Sequence, residues 1–173
     1  SVLPDEYRGG QTAVRLLREA GITDGIVLLG HNAEVETGLF RSETIARRFA
    51  GIREAMRDAG MAFSSELSCW NWEPGNGYEL TRKLLKTKKP RALLCLNDRL
   101  AFGAYQAMAE AGLRVPEDIA VVSFDNDELA SYLRPGLTTV GLPHEEMGRA
   151  AIQLLLGDKP EPALVPMPVI ERG

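Results

Sequence analysis

The sequence has little of several features that define other classes of protein. Its 173 residues include two cysteines and two histidines, too few for a disulfide framework or a zinc site. Aspartates and glutamates (24) outnumber lysines and arginines (20), giving a formal net charge of −4. This stretch therefore lacks the basic excess that neutralises duplex phosphates. Its apolar runs all stay short of the roughly 20 residues that cross a bilayer.

The cysteines and the first residues give further expectations about the chain. Cys69 and Cys95 both lie inside apolar runs, where a free thiol behaves as a small buried hydrophobe. We therefore expect a reducing compartment, the cytoplasm, and no membrane association. The first four residues lack the basic start and apolar stretch of a signal peptide, and the first is not Met. We expect the chain to be part of a larger protein.

Alternating short apolar runs and longer helical periods predict an α/β fold with a largely parallel sheet. The hydrophobic content of 45% is sufficient for a substantial core. Predicted strands cover residues 25–29, 65–70, 92–96, 119–124 and, more weakly, 137–140. The second, third and fourth are evenly spaced at about one βαβ unit, which favours one continuous sheet.

Predicted helices occupy the segments between these strands. They cover residues 7–20, 43–59, 76–86, 98–112 and 143–156. Ser42 can cap the second of them, and Gly60 can take its left-handed closing position. Residues 31–41 show no apolar periodicity and are expected to form a long loop. The proline-rich tail, 163–170, is expected to be an edge strand at best.

Polar or large aromatic side chains follow four consecutive predicted strands. Ligands bind beyond the carboxyl ends of parallel strands, where loops and helix N-termini converge. The residues found there are His31, Asn32, Asn71, Trp72, Glu73, Asn97, Asp98, Asp125, Asn126 and Asp127. This edge of the sheet is therefore the predicted site.

Each of these residues also has a purely structural interpretation. Asn97 or Asp98 could cap the following helix, and residues 125–127 could be only a turn. Trp72 could be a packing residue. His31 could lie on the surface, and Arg48 could be a solvated charge on the helix 43–59. Residue types and spacing leave these alternatives open.

The usual enzyme motifs give little support for catalysis. The sequence has no phosphate-binding loop, no dinucleotide-binding glycine motif and no serine nucleophile elbow. Asp125 and Asp127 after an apolar strand resemble the pair used by Mg²⁺-dependent aspartyl-phosphate hydrolases. The Thr or Val that usually follows is absent, so this hydrolase is kept as the weaker alternative. We expect no enzymatic activity, no cofactor and no metal.

Four motifs resemble those of one family of bacterial regulators. The stretch LNDRLAFGA at 96–104 resembles a turn-and-helix motif, and GLRVPEDIAVVSFDN at 112–126 resembles a helix-to-strand motif. The shorter stretches are LTTV at 137–140 with Met147-Gly148, and RFAG at 48–51. From residue 9 onward the sequence resembles the effector-binding core of the LacI/GalR (lac-repressor) family.

The resemblance implies a periplasmic-binding-protein-like type I fold, in which two Rossmann-like lobes enclose an effector. It assigns 1–22 and 143–158 to the N-terminal lobe, and 23–142 and 163–173 to the C-terminal lobe. Most of this chain would therefore be C-terminal lobe. The DNA-binding helix-turn-helix that such regulators carry is absent from this sequence.

The resemblance also implies ligand contacts. They fall on Arg48, Trp72, Asn97 and Asp125, with His31 and Asn126 as further candidates. Carboxylate, amide and guanidinium groups beside an aromatic face suit a small polyhydroxylated ligand, so we expect a sugar, although a purine could also stack on the indole. Leu142 and Ser123 depart from the family pattern, which has Gln and Gly there.

The function implied is ligand-gated, allosteric control of operator binding by a homodimer. Operator DNA would be bound through the missing N-terminal domain. A sugar-binding receptor of a transport system shares the implied fold and is kept as the alternative from another class.

Overall fold

The computed structural model describes residues 1–38, 43–157 and 162–172, so that Ser42 and Pro160 lie outside the described residues. The strands are β1 (Val2–Pro4), β2 (Ile26–His31), β3 (Ser65–Ser68), β4 (Ala92–Cys95), β5 (Ala120–Asp125), β6 (Thr138–Gly141), β7 (Ala163–Val165) and β8 (Val169–Ile170). The helices are α1 (Glu6–Glu19), α2 (Ala33–Glu36), α3 (Glu43–Asp58), α4 (Pro74–Leu85), α5 (Asp98–Glu110), α6 (Glu128–Tyr132) and α7 (His144–Leu156).

The main sheet has six strands in the order β3-β2-β4-β5-β6-β8. The first five are parallel, and β8 joins the edge antiparallel to β6. In one register row Leu28 lies between Glu66 and Leu94. All five predicted strands lie in this sheet, so the predicted α/β class with a continuous parallel sheet is confirmed. The tail supplies its edge strand, as expected from its prolines.

Two pairs of helices cover the sheet, and each pair packs backbone against backbone. Helix α1 packs on α3, and α4 packs on α5. Right-handed crossovers place α3 on one face and α4 and α5 on the other. A Cβ on Gly10 would collide with the carbonyl oxygen of Arg48, and one on Gly51 with that of Tyr7. Glycine at these two positions lets α1 and α3 approach closely.

The hydrophobic core lies between the sheet and these helices. Strand β4 is buried along its whole length, as expected for a strand covered on both faces. Leu17 of α1 and Phe49 and Ile52 of α3 are also almost fully buried. Cys95 is buried and Cys69 is partly buried, and both thiols are free. Burial raises the pKa of the Cys95 thiol, which keeps it protonated and unreactive.

A second, smaller unit is formed by β1, β7 and α7. Strands β1 and β7 pair in parallel as a separate two-stranded sheet, and α7 packs against both of them. No residue of α7 is buried within the described chain, and Leu155 is 85% exposed. The apolar positions of α7 thus lie largely on the surface of the described chain.

The structure differs from the sequence analysis in three places. Helix α1, which the analysis grouped with the N-terminal lobe, instead packs on α3 and buries Leu17 in the core of the main sheet. The expected loop 31–41 contains the short helix α2, capped by Asn32. Asp127 caps a second short helix, α6, in a segment for which no helix was predicted. The rest of the division into lobes stays a prediction.

Candidate functional site

The sheet contains one point at which the strand order reverses. The chain passes from β2 outward to β3, then crosses back to β4 on the other side of β2. At such a point the loops that leave neighbouring strands turn in opposite directions and open a crevice at the carboxyl edge. The segments after β2, β4 and β5 flank this crevice, and they carry the predicted site residues.

Gly30 shapes one wall of the crevice. Its φ of +105° and the register shift between Leu29 and His31 bend the end of β2. A Cβ at this position would lie 2.6 Å from Cδ1 of Leu100. The bend leaves the Gly30 carbonyl available to accept a hydrogen bond of 3.0 Å from the indole Nε1–H of Trp72. The positive φ and the close Leu100 side chain therefore both favour glycine here.

Trp72 and Asn97 form the second wall. The Trp72 ring is partly buried and lies 6.5 Å from the ring of Phe49. Asn97 donates from Nδ2 to the Trp72 carbonyl at 3.1 Å. Its Oδ1 accepts from the Leu100 N–H at 2.9 Å and so caps α5. The capping interpretation of Asn97 is confirmed, and its amide also fixes the loop that carries Trp72.

Arg48 lies beneath the crevice rather than in it. Its side chain is 1% exposed, and it forms a bidentate ion pair with Glu6, with Nε–Oε2 and Nη2–Oε1 distances of 2.7 and 2.9 Å. Nη1 donates to the Leu96 carbonyl at 2.6 Å. Nη2 also donates to Oδ1 of Asp125 at 2.9 Å. The guanidinium carbon lies 4.5 Å from the ring centroid of Phe124, so Arg48 is held on several sides.

Asp125 presents its carboxylate at the end of β5 with an uncommon backbone conformation. Its φ is +104° and that of Asn126 is +55°, in a region that residues other than glycine seldom occupy. The Asp125 side chain keeps 30% exposure. The next residue, Asn126, is exposed and accepts from Nη2 of Arg172 at 2.7 Å. Strain of this kind is characteristic of functional sites.

Asp98 is the most deeply buried acid at this edge, with 1% exposure against 2% for Glu6. Its carboxylate accepts from the hydroxyls of Ser123 and Thr139 and from the Asp127 backbone N–H at 2.7 Å. Burial nevertheless dominates and raises the pKa of Asp98 to about 6. Asp98 therefore joins β5 and β6 to the start of α5. Ser123, which departs from the family pattern, donates one of these hydrogen bonds, and a glycine at this position could not.

His31 lies next to Phe49, with the ring centroids 6.3 Å apart. Its ring nitrogens lie 3.2 Å from Oγ of Ser68 and 3.0 Å from Oε2 of Glu36. Arg53 donates to the same Glu36 carboxylate at 2.7 Å. Although burial raises the pKa of Glu36, the hydrogen bonds from Arg53 and His31 outweigh it and lower the pKa overall. His31 and Asn32 border a shallow cavity of about 300 Å³.

The structure brings the four main predicted residues into one cluster. Asn97 bonds to Trp72, Arg48 bonds to the carbonyl of the residue before Asn97, and Arg48 bonds to Asp125. Their role in binding a ligand stays a prediction. Glu6 was not predicted, because its helix was expected to start at residue 7. The signal available for Glu6 in the sequence was an acidic residue one turn before the apolar residues of α1.

Two other features bear on the alternatives considered for this site. Among the described residues, no three His, Cys, Asp or Glu side chains are grouped to hold a metal ion. Asp125 pairs with Arg48, and Asp127 accepts from the Leu129 N–H at 3.0 Å to cap α6. Both carboxylates of the hydrolase alternative are therefore used in structural contacts. A cavity of about 360 Å³ that includes Tyr105 and Ala120 lies at the opposite, amino edge of the sheet.

Comparison with known proteins agrees with this geometry. Residues 11–173 match the family described as periplasmic binding protein-like domain. The chain is 38% identical over 158 residues to the HTH-type transcriptional repressor PurR of Erwinia tasmaniensis, covering 90% of this chain and 44% of that repressor. It thus spans less than half of that relative.

Solved structures show the same similarity. A LacI family transcriptional regulator from Enterococcus faecium with bound ribose superposes with a TM-score of 0.82 and 28% identity, over 99% of this chain and 63% of that one. The lac repressor dimer bound to operator and the anti-inducer ONPF gives a TM-score of 0.82 and 27% identity, over 99% and 51%. None of the helices in the described part of this chain is long and apolar enough to span a membrane.

Proposed function

Because the chain belongs to the periplasmic binding protein-like domain family, we propose that it is the effector-binding part of a LacI-type transcriptional regulator. It binds a small polar organic molecule, a sugar in our proposal, and does not transform it. The cluster of Trp72, Asn97 and Asp125 around the point of strand reversal carries this proposal. The ribose-bound relative supports the sugar class.

The proposed roles follow from which groups remain accessible. Asp125, with 30% of its side chain exposed, accepts hydrogen bonds from ligand hydroxyls. Trp72 offers the exposed part of its ring to C–H groups or to a flat base. Arg48 orients Asp125 from below. His31 and Asn126 are proposed as outer contacts on either side of the crevice.

Control of DNA binding is proposed for the whole protein. Ligand binding would change the orientation of two lobes and so the spacing of paired DNA-binding heads on an operator. The named lac repressor structure is a dimer on operator, and we propose the same assembly here, in the cytoplasm. Residues 143–158 with β1 would belong to the first lobe, and most of 23–142 to the second.

Calorimetric titration of the intact protein with mono- and disaccharides and nucleobases tests the binding function. We expect heat with at least one sugar, and a loss of about 1–3 kcal/mol in Asp125→Ala, as for removal of a charged hydrogen-bond partner. Asp24→Ala, at the amino edge and 80% exposed, is the matched control and should bind normally. No heat with any sugar would remove the sugar proposal, and no heat with any probe would remove the binding function. Mg²⁺-dependent phosphate release abolished by Asp125→Asn would show an enzyme instead.

A further inference from the structure

Glu6 occupies the position that an anion would take at Arg48. Its carboxylate is 3% exposed and meets the guanidinium with both oxygens, in the fork geometry that arginine also offers to carboxylate and phosphate ligands. Together with Asp125 and the Leu96 carbonyl it takes four of the five N–H donors of Arg48. The cation that could attract an acidic ligand is thus already neutralised.

The groups that face the crevice leave an excess of negative charge. Arg48 is balanced by Glu6, and Asp125 remains as the partly exposed charge. Asp98 and Asp127 lie behind it, linked by the Asp127 N–H. Two other arginines near the crevice are paired with acids, Arg99 with Glu73 and Arg53 with Glu36 and Glu66. Arg172 donates to the neutral oxygens of Asn126 and Leu137, so its charge offsets one of the three aspartates and leaves the excess negative.

We propose that Glu6 is a specificity-determining residue, which makes the effector site select uncharged ligands over anionic ligands of the same shape. This inference rests on the proposed function and names the charge class of its ligand. An acidic ligand in the crevice would meet the carboxylate of Asp125, while Arg48 could not turn toward it without leaving Glu6 buried and unpaired. The first outcome brings two like charges together, and the second leaves a charge unpaired at a position withdrawn from water, so both are unfavourable.

The test uses ligands that differ in charge but not in shape. For each of glucose and galactose, the intact protein is titrated with the sugar, its uronic acid and its uronamide. Ribose with ribose 5-phosphate, and hypoxanthine with urate, extend the set to other skeletons, in which charge and size change together. For a series that binds, the expected Kd of the acid is at least about tenfold above that of the amide, which corresponds to about 1.4 kcal/mol.

Glu6→Gln removes the charge and keeps an oxygen that can accept from Arg48. We expect this variant to bind the acid relatively better, so that the ratio of acid Kd to amide Kd falls by about tenfold. Glu19→Gln makes the same change at the other, exposed end of α1 and should leave the ratio unchanged. A purely structural role for Glu6 would weaken acid and amide equally and leave the ratio as in the wild type.

A second measurement keeps the inference testable if Glu6→Gln does not fold in buffer alone. The variant and the wild type are then titrated in trimethylamine N-oxide, an osmolyte that favours the folded state, and the same fall in the ratio is expected. Wild-type binding of an acid as tight as its amide overturns the inference, as does an unchanged ratio in folded Glu6→Gln. Neutral ligands would still bind in those cases, so the proposed function would stand. Binding of no probe at all overturns both.

Discussion

Two ion pairs of nearly equal length stand at opposite edges of the main sheet. Arg48 and Glu6 approach to 2.7 Å at the carboxyl edge, with side chains 1% and 3% exposed. Arg91 and Asp24 approach to 2.6 Å at the amino edge, with side chains 53% and 80% exposed. Distance alone therefore says little about their energies. Withdrawal from water makes the first pair indispensable once formed, whereas the second is screened by solvent.

Two aspartates repeat this contrast. Burial raises the pKa of Asp98 to about 6 at the carboxyl edge. Near the amino edge, hydrogen bonds from the side chain and backbone of Arg114 lower the pKa of Asp118 to about 2. The carboxyl edge holds charge at an energetic cost, and the amino edge holds charge where it stabilises the fold.

The largest expected effect is the loss of the buried pair. Arg48→Ala leaves Glu6 buried without its partner and should lower the free energy of unfolding by about 3–5 kcal/mol. Arg91→Ala removes the exposed pair and should change it by at most about 1 kcal/mol. Urea denaturation of both variants measures the difference. Equal losses would show that the two edges do not differ as described.

The second prediction concerns pH. The unfolded pKa of Asp98 is near 3.8 and the folded pKa is about 6, so the folded state binds the proton more tightly. Stability from this group falls as pH rises from about 4 to about 6, by about 3 kcal/mol in all. In Asp98→Asn this dependence should vanish, so the wild type should gain stability relative to the variant between pH 7.5 and pH 4.5. Urea midpoints at the two pH values measure it.

Asp118→Asn is the control, because the pKa of Asp118 is shifted in the opposite direction. Its folded pKa lies below the ordinary value, so its stabilising contribution is complete above about pH 4 and is lost only as pH falls toward about 2. Between pH 7.5 and pH 4.5 the stability of this variant should therefore change by the same amount as that of the wild type. If the stability of Asp98→Asn also changed with pH as in the wild type, the buried carboxylate would not titrate as its surroundings imply.

A smaller effect is expected at the helix cap. Asn97→Ala removes the cap of α5 and the bond to the Trp72 carbonyl, and should cost about 1 kcal/mol. Because the loop that carries Trp72 is released, fluorescence from the indole should also change. Asn71→Ala, in the exposed segment next to Trp72, should leave stability nearly unaltered. A stable Asn97 variant with unchanged emission would contradict the role given to this amide.

The smallest effect is expected at the amino edge. Tyr105 lines the cavity there, and its hydroxyl donates to the Gly136 carbonyl at 3.4 Å, a long bond for this pair of atoms. Tyr105→Phe should change the free energy of unfolding by less than about 1 kcal/mol, measured by the same denaturation. A loss above about 2 kcal/mol would place a buried polar network at this edge as well.

The parallel sheet was predictable because its signals are local. Strands such as β4 are continuous apolar runs, and glycine or proline marks the ends of the helices. The short helices α2 and α6 were missed because each is shorter than two turns and shows no apolar period. Helix α1 was assigned to another lobe because its sequence does not indicate which sheet its apolar face packs against.

The sequence predicted which residues form the site but not how they contact one another. The types of Trp72, Asn97 and Asp125 and their positions after strands were sufficient to group them. The burial of Arg48 was not predictable, because it depends on Glu6, which lies 42 residues away in sequence. The role of Asp98 depends likewise on Ser123 and Thr139 from two other strands.

The close contact of α1 with α3 at Gly10 and Gly51 bears on how the molecule can move. The carbonyl of Arg48 faces Gly10, so the residue that pairs with Glu6 also sits where the helix axes come nearest. We therefore expect the two helices to move together as one unit that starts directly after β1. A rotation of the first strand would therefore be transmitted directly to the residues beneath the crevice.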